Sequence, residues 1–253
     1  HKPERVPEFI DAAFRIAGSG RPGPVYLELP VDVLNGQVEE TSVKRTHTTV
    51  QSRPVDLEKC KVLLEMIGKA SQPVIIAGSG TWYADAGKEL EVFAEKTGIP
   101  VFTSTLGRGT LPDTHPLCFE SSLAIRPGAA MFANMSADLV LFLGNRVSLY
   151  YIFGDIFNKE AKIIQVDIEP EEIGRNRSVD LAILSDVKAL LASCNLLLKE
   201  SGHYQNFPER FREWVGTLRK ANEDGKSIFQ AQWESPDTPI HPLRLAAEVN
   251  KFM

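Results

Sequence analysis

The chain has 253 residues, 43% hydrophobic and 24% charged, with a formal net charge of −5. This composition supports a globular protein with a sizeable core, and it offers neither a basic cluster for nucleic acid nor an acidic tract for a disordered tail. No apolar run approaches the roughly 18 residues of a membrane-spanning helix. Cys60, Cys118 and Cys194 are too few and too widely spaced for a metal motif or a disulfide framework, which points to a reducing cytoplasm.

The first residues, His1-Lys2-Pro3-Glu4, form no signal peptide and carry no initiator Met, so the expectation is a piece of a longer protein. From Val6 to Ala17 apolar residues recur at helical spacing, and Gly18-Ser19-Gly20 ends the pattern. Val25 to Pro30 reads as a short strand. One helix and one strand cannot bury a core, so residues 1–35 read as the closing remnant of another domain. Residues 36–53 are polar without period (Gln37, Glu39, Glu40, Thr41, Lys44, Thr46, Thr48, Thr49, Gln51, Ser52) and read as a linker.

Asp56 is placed to cap a helix running through Ile67, with Gly68 near its end. Strand 74–77, a helix at about 82–97, Gly98 and strand 100–103 follow. Later strands are Leu139–Leu143, Lys162–Ile168 and Leu181–Leu184, and a helix runs from Asp186 to about Lys199. Apolar strands alternating with amphipathic helices specify an α/β fold: a Rossmann-like parallel sheet with helices on both faces, here at 54–200, with incomplete flanking α/β segments. Residues 201–253 change character. A charged helix, Phe207 to Ala221, gathers Phe211, Trp214, Val215 and Leu218 on one face, and a last amphipathic helix spans Pro242 to Met253.

Ligands of open parallel sheets lie at the carboxyl ends of the strands. There the sequence offers Gly78-Ser79-Gly80, then Ser104-Thr105-Leu106 with Gly107-Arg108-Gly109, then Gly144-Asn145-Arg146, Asp167-Ile168-Glu169-Pro170, and Ser185-Asp186-Val187. Glycines let a backbone approach a diphosphate, a helix N-terminus offers N–H groups, Arg146 can pair with phosphate, and a carboxylate can accept from ribose hydroxyls. The first motif lacks the third glycine of the dinucleotide fingerprint, since Tyr83 stands there. Plainer roles compete: Arg146 neutralising Asp155 or Asp167, Asp167 capping the turn at Glu171–Gly174, and Asp186 capping the last helix. His115 reads as a turn residue. Glu223-Asp224-Gly225 with Asn250 superficially suggests a Mg-diphosphate motif, but no apolar strand precedes it.

Taken in order, these pieces resemble the thiamine-diphosphate enzymes of the acetolactate synthase, oxalyl-CoA decarboxylase and 2-hydroxyacyl-CoA lyase group. Arg21 to Val33 resembles the close of their pyrimidine-binding domain. Pro73–Gly80, Gly107–Pro116, Ala137–Val140, Gly144–Arg146 and Gln165–Pro170 resemble their central domain, and Ile240–Arg244 the entry to their diphosphate-binding domain. The resemblance implies that C–C bonds next to a carbonyl are made or broken on a 2-keto acid or acyl-CoA, with thiamine diphosphate and Mg²⁺. It implies a homodimer or homotetramer when full length. The activating glutamate and the metal motif are expected in flanking domains before His1 and after Met253. No catalytic or metal-ligating residue is therefore assigned to this chain, which is expected to be inactive alone.

Central domains of this group bind FAD, ADP or the ADP part of CoA, or nothing. The matching positions are Gly78, Ser79, Gly80, Tyr83, Ser104, Thr105, Leu106, Gly144, Arg146, Asp167, Ile168, Asp186 and Val187. Two departures from the FAD-binding synthases stand out. Leu123–Gly128 replaces their Gly-Met-His-Gly, and Ser148 and Tyr150 replace the charged residues after the arginine. The rival reading is a free-standing FAD- or ADP-binding Rossmann-like module. A deacylase version of it lacks the catalytic His loop and the zinc cysteines.

Overall fold

The computed structural model describes residues 2–43, 53–123, 128–200 and 206–252. Half of the expected linker, residues 44–52, and most of the Leu123–Gly128 departure lie outside the described residues. In chain order the elements are α1 (Val6–Gly18), α2 (Val31–Leu34), α3 (Leu57–Lys69), β1 (Pro73–Ala77), α4 (Ser79–Tyr83), α5 (Gly87–Thr97), β2 (Val101–Thr103) and β3 (Cys118–Ser121). There follow α6 (Ala129–Ser136), β4 (Leu139–Leu143), β5 (Lys162–Asp167), β6 (Leu181–Leu184), α7 (Val187–Glu200), α8 (Phe207–Arg210), α9 (Arg212–Ser227), α10 (Gln230–Trp233) and α11 (Pro242–Phe252).

The six strands form one sheet in the order β3-β2-β1-β4-β5-β6, every pair parallel. The chain runs outward from β1 to β3 and then returns to β4 on the other side of β1. The crevice above β1 and β4 is therefore the topological switch point of the sheet. Both central strands are unbroken apolar runs, Pro-Val-Ile-Ile-Ala and Leu-Val-Leu-Phe-Leu, buried throughout. That is the pattern of strands covered on both faces. One face packs Ile75, Leu141, Ile164 and Val166 under α3, α5 and α7. The other packs Val74, Ile76, Val140 and Phe142 under α6 and α9. Each fully buried Leu, Ile or Phe contributes about 1.5–3 kcal/mol.

Of the helix face expected for Phe211, Trp214, Val215 and Leu218, the last three are found together on α9, while the expected helix is divided at Phe211 into α8 and α9 and Phe211 packs on the other side of the sheet. Trp214, Val215 and Leu218 join the second core while Phe207 and Phe211 join the first. Trp214 Nε1 donates to the Pro73 carbonyl oxygen at 3.0 Å, fixing α9 to the start of β1. Asp56 caps α3, its carboxylate accepting from Glu58 N at 2.9 Å. Asp186 does the same for α7 through Ala189 N at 3.1 Å.

Several expectations are corrected. Val25–Pro30 forms no strand: no described segment pairs with it, and Tyr26 is 87% exposed. A strand pattern without a partner strand has nothing to close its hydrogen bonds. The expected helix at 82–97 is two helices, broken at Asp85, whose φ is 49°. The break turns α4 inward, so that Thr81 Oγ1 donates to the Leu143 carbonyl at 2.9 Å. α3 runs past the expected end at Ile67 to Lys69, with Gly68 near its end as expected and Ala70 closing it. The strand β3 and the helix α6 are additions to the expected elements. β3 is a four-residue edge strand containing Glu120 and Ser121, and α6 carries no charged residue to mark an amphipathic face.

Gly216 lies in α9, exposed, with nothing within 4 Å of where an alanine methyl would stand. Gly216→Ala is expected to raise stability by about 0.5–1 kcal/mol in urea unfolding, because alanine loses less entropy in a helix.

Candidate functional site

At the switch point the two glycine turns are locked into one another. Gly78 N donates to the Leu143 carbonyl at 2.8 Å and Gly80 N to the Gly144 carbonyl at 2.9 Å. A Cβ on Gly78 would stand 2.3 Å from Gly144 O, one on Gly80 2.6 Å from Gly144 Cα, and one on Gly144 2.5 Å from Gly80 Cα. Gly144 also has φ +54°, in the left-handed region. These glycines are thus required by backbone meeting backbone. Two N–H groups of the Gly-Ser-Gly turn are already taken by β4 and the turn after it, and the helix the motif opens is only five residues long.

The charge of the site gathers one strand away. Glu172 Oε1 receives Arg146 Nε at 2.9 Å, Arg21 Nη1 at 3.1 Å and Arg175 Nη1 at 3.6 Å. The Glu172 side chain is 5% exposed, whereas those of Arg21, Arg146 and Arg175 are 55%, 45% and 57% exposed. A buried carboxylate therefore forms the floor under three half-exposed guanidiniums. Its place is set by Gln165 on β5, whose amide donates to the Glu172 carbonyl at 2.8 Å and accepts from Gly174 N at 2.9 Å. Arg146, expected to neutralise Asp155 or Asp167 if it held no ligand, pairs with Glu172 instead. Asp167, expected to cap the turn at Glu171–Gly174, accepts from Glu169 N at 2.9 Å, at the entrance to that turn. Burial pushes the Asp167 pKa up and the Glu172 charge adds to this, while the bond from Glu169 N opposes it.

The remaining anticipated positions line the same edge of the sheet. Ser104 N donates to the Ala77 carbonyl at 2.9 Å, and Thr105, Leu106 and Tyr83 are exposed beside it. Ser79 and Ile168 are half-buried. Asp186 is committed to capping α7, and the Val187 side chain lies in the core. From β2 to β6 the edge spans four strand spacings of about 4.8 Å, roughly 19 Å in all, long enough for an extended nucleotide diphosphate.

Behind Arg146, the buried Tyr151 hydroxyl meets Ser122 Oγ at 2.7 Å and Asn145 Nδ2 at 3.2 Å, tying the third turn to the end of β3. Next to it Ile152 and Phe153 have φ values of 50° and 52°, while Ser148 supplies the carbonyl that holds Tyr151 N and Phe153 N at 3.0 Å. Tyr150 is exposed. Arg21, Glu172, Arg175 and Tyr151 carry no sequence signal that singles them out as site residues, and Asn145 is marked only by its place in the strand-end motif Gly144-Asn145-Arg146. Arg21 is 151 residues from Glu172 along the chain, and nothing local marks such a pairing.

Two other groupings have the composition of a metal centre. Donor atoms of Glu91, Glu95 and His115 lie within 4.8 Å of one another. However, His115 Nδ1 accepts from Leu117 N at 3.1 Å, so a neutral ring carries its proton on Nε2, which faces Glu95 at 3.8 Å. That nitrogen is a donor to carboxylates and has no lone pair for a metal. Glu223-Asp224-Gly225 lies inside α9 and forms no loop.

Gly144→Ala is expected to destabilise the fold by at least about 2 kcal/mol in urea unfolding, since left-handed strain of about 1–2 kcal/mol adds to backbone overlap; a neutral effect contradicts the interlock. For Asp167, a folded-state pKa above the unfolded one means a contribution to stability that is full below the unfolded value. It is lost as pH rises through the folded value. Asp167→Asn is therefore expected to gain stability relative to the unsubstituted protein between about pH 4 and pH 7. Unfolding curves at the two pH values check this, and an unchanged gap contradicts it.

The family described as thiamine pyrophosphate enzyme, central domain, matches residues 60–194. Over 264 residues the chain is 36% identical to a probable acetolactate synthase large subunit of Methanocaldococcus jannaschii, covering 100% of this chain and 42% of that protein. It is 33% identical over 251 residues to a glyoxylate carboligase of Escherichia coli O157:H7, covering 97% and 41%. The benzoylformate decarboxylase of Polynucleobacter necessarius superimposes with a TM-score of 0.66 at 27% identity, over 82% of this chain and 39% of that one. The chain thus spans about two fifths of the length of the relatives it matches. The free-standing nucleotide module finds no support in these matches. The chain belongs to the thiamine pyrophosphate enzymes, with residues 60–194 as the family's central domain.

Proposed function

We propose that the protein containing this chain makes or breaks a C–C bond next to a carbonyl, in the manner of an acetolactate synthase, on a 2-keto acid or an acyl-CoA. The observation that carries this reading is the family match across the sheet, extended by 36% identity along the whole chain to an acetolactate synthase subunit. Thiamine diphosphate, when bound, supplies the electron sink for such chemistry, with Mg²⁺ on its diphosphate. The described residues of this chain do not fit that cofactor. The acidic Glu223-Asp224-Gly225 is helical, and the strand-end acids Asp167 and Asp186 are engaged with their own backbone. The chain's own part is therefore a scaffold and an accessory site.

That accessory site takes a nucleotide diphosphate. Half-exposed guanidiniums stand one strand from the sheet's switch point, beside an edge long enough for ADP, the ADP part of CoA, or FAD. A homodimer or homotetramer and a cytoplasmic location accord with this reading. Among the described residues no helix is long and apolar enough to cross a membrane.

The full-length protein is expected to release CO₂ from a 2-keto acid only when thiamine diphosphate and Mg²⁺ are added, and the 253-residue chain to release none. Turnover by the chain alone contradicts this division. Melting curves with FAD, ADP and CoA, read with the visible absorbance of FAD, identify the accessory ligand. No shift with any of the three removes the nucleotide site.

A further inference from the structure

We propose that Glu172 is a tethered counter-ion that competes with the ligand's diphosphate for Arg21, Arg146 and Arg175, and so limits how tightly the accessory site holds it. This rests on the nucleotide reading above. Three guanidiniums from separate parts of the chain converge on the single oxygen Oε1, at 2.9, 3.1 and 3.6 Å. The other oxygen, Oε2, is buried and has no hydrogen-bond partner. Arg–carboxylate pairs frequently use both oxygens in a bidentate fork. Here one oxygen meets three cations, leaving two positive charges in excess and most of the guanidinium N–H groups uncommitted to Glu172.

The two sides of this contact differ in freedom. The Glu172 main chain is held from below by the Gln165 amide, which donates to its carbonyl, and its side chain is buried, whereas the arginines are half-exposed on long stems. An arriving diphosphate must share the guanidinium N–H groups with a carboxylate that cannot leave. The carboxylate's charge repels the ligand at short range, in a partly buried setting where Coulomb terms are only moderately screened. Glutamine at 172 keeps an acceptor oxygen in the same place and removes that charge, so loss of repulsion outweighs loss of positioning.

The test is calorimetric titration of the full-length protein and its Glu172→Gln variant with ADP and with pyrophosphate. The variant is expected to bind both about tenfold tighter, equivalent to about 1.4 kcal/mol, and to melt at a lower temperature without ligand because three cations then face one another. Equal or weaker binding by the variant overturns the counter-ion role while the nucleotide reading stands. Binding by neither protein removes both. Arg175→Gln, a change at an exposed side chain, gives a second reading if Glu172→Gln does not fold. It is expected to weaken ADP binding several-fold, and unchanged affinity overturns the proposal.

Discussion

The structure depends on a contact without side chains: Gly80 against Gly144, backbone to backbone, across β1 and β4. The chain leaves β1 in one direction and returns on β4 from the other, so the strand pairing that joins the two halves of the sheet is that of β1 with β4. Their register continues past the strand ends as Gly78 N to Leu143 O and Gly80 N to Gly144 O, and Thr81 adds a side-chain bond to the Leu143 carbonyl. Gly107 belongs to the same packing, since a Cβ there would meet Ala77 O at 2.3 Å. The crevice of this fold therefore has a floor of interlocked main chain, rigid because any added carbon overlaps a neighbour.

A consequence is a separation of roles at the strand ends. The Gly78 and Gly80 amides, which a phosphate would otherwise meet, are satisfied within the protein, so in the proposed nucleotide reading positive charge for the anion comes from guanidiniums instead. Those guanidiniums need a counter-charge when no ligand is bound, and Glu172 supplies it from below. Burying a carboxylate costs several kcal/mol unless partners compensate. Three arginines do so here, and Asp167, buried beside it, is left with its raised pKa. A loop set by Gln165 on β5 carries the carboxylate, so the sheet's own register determines where the charges stand.

Much of this is legible in the sequence, and the limits have physical causes. Val74–Ala77 and Leu139–Leu143 are continuous apolar runs, which a doubly covered parallel strand explains, and Asp56 and Asp186 are caps where capping chemistry puts them. The strand ends carrying the glycines, Arg146 and Asp167 are identifiable from the same pattern. What the glycines touch is not. Close approach to a ligand and close approach to another turn demand the same residue, and only the fold distinguishes them. The Arg21–Glu172 contact spans 151 positions, and Glu172 is one of three acids in Glu169-Pro170-Glu171-Glu172 with no local mark. The helix expected at 82–97 breaks at Asp85, and the Thr81 hydrogen bond to the Leu143 carbonyl on β4 that accompanies the break is a tertiary contact that local helical propensity does not show.

The most direct test is a crystal structure of the full-length protein with ADP. The phosphates are expected within hydrogen-bond distance of the Arg146 and Arg175 guanidiniums, with Gly80 N still donating to the Gly144 carbonyl. Phosphates seated on the amides of Gly78, Ser79 and Gly80, with the Gly80–Gly144 bond broken and the arginines still on Glu172, would contradict this division of roles.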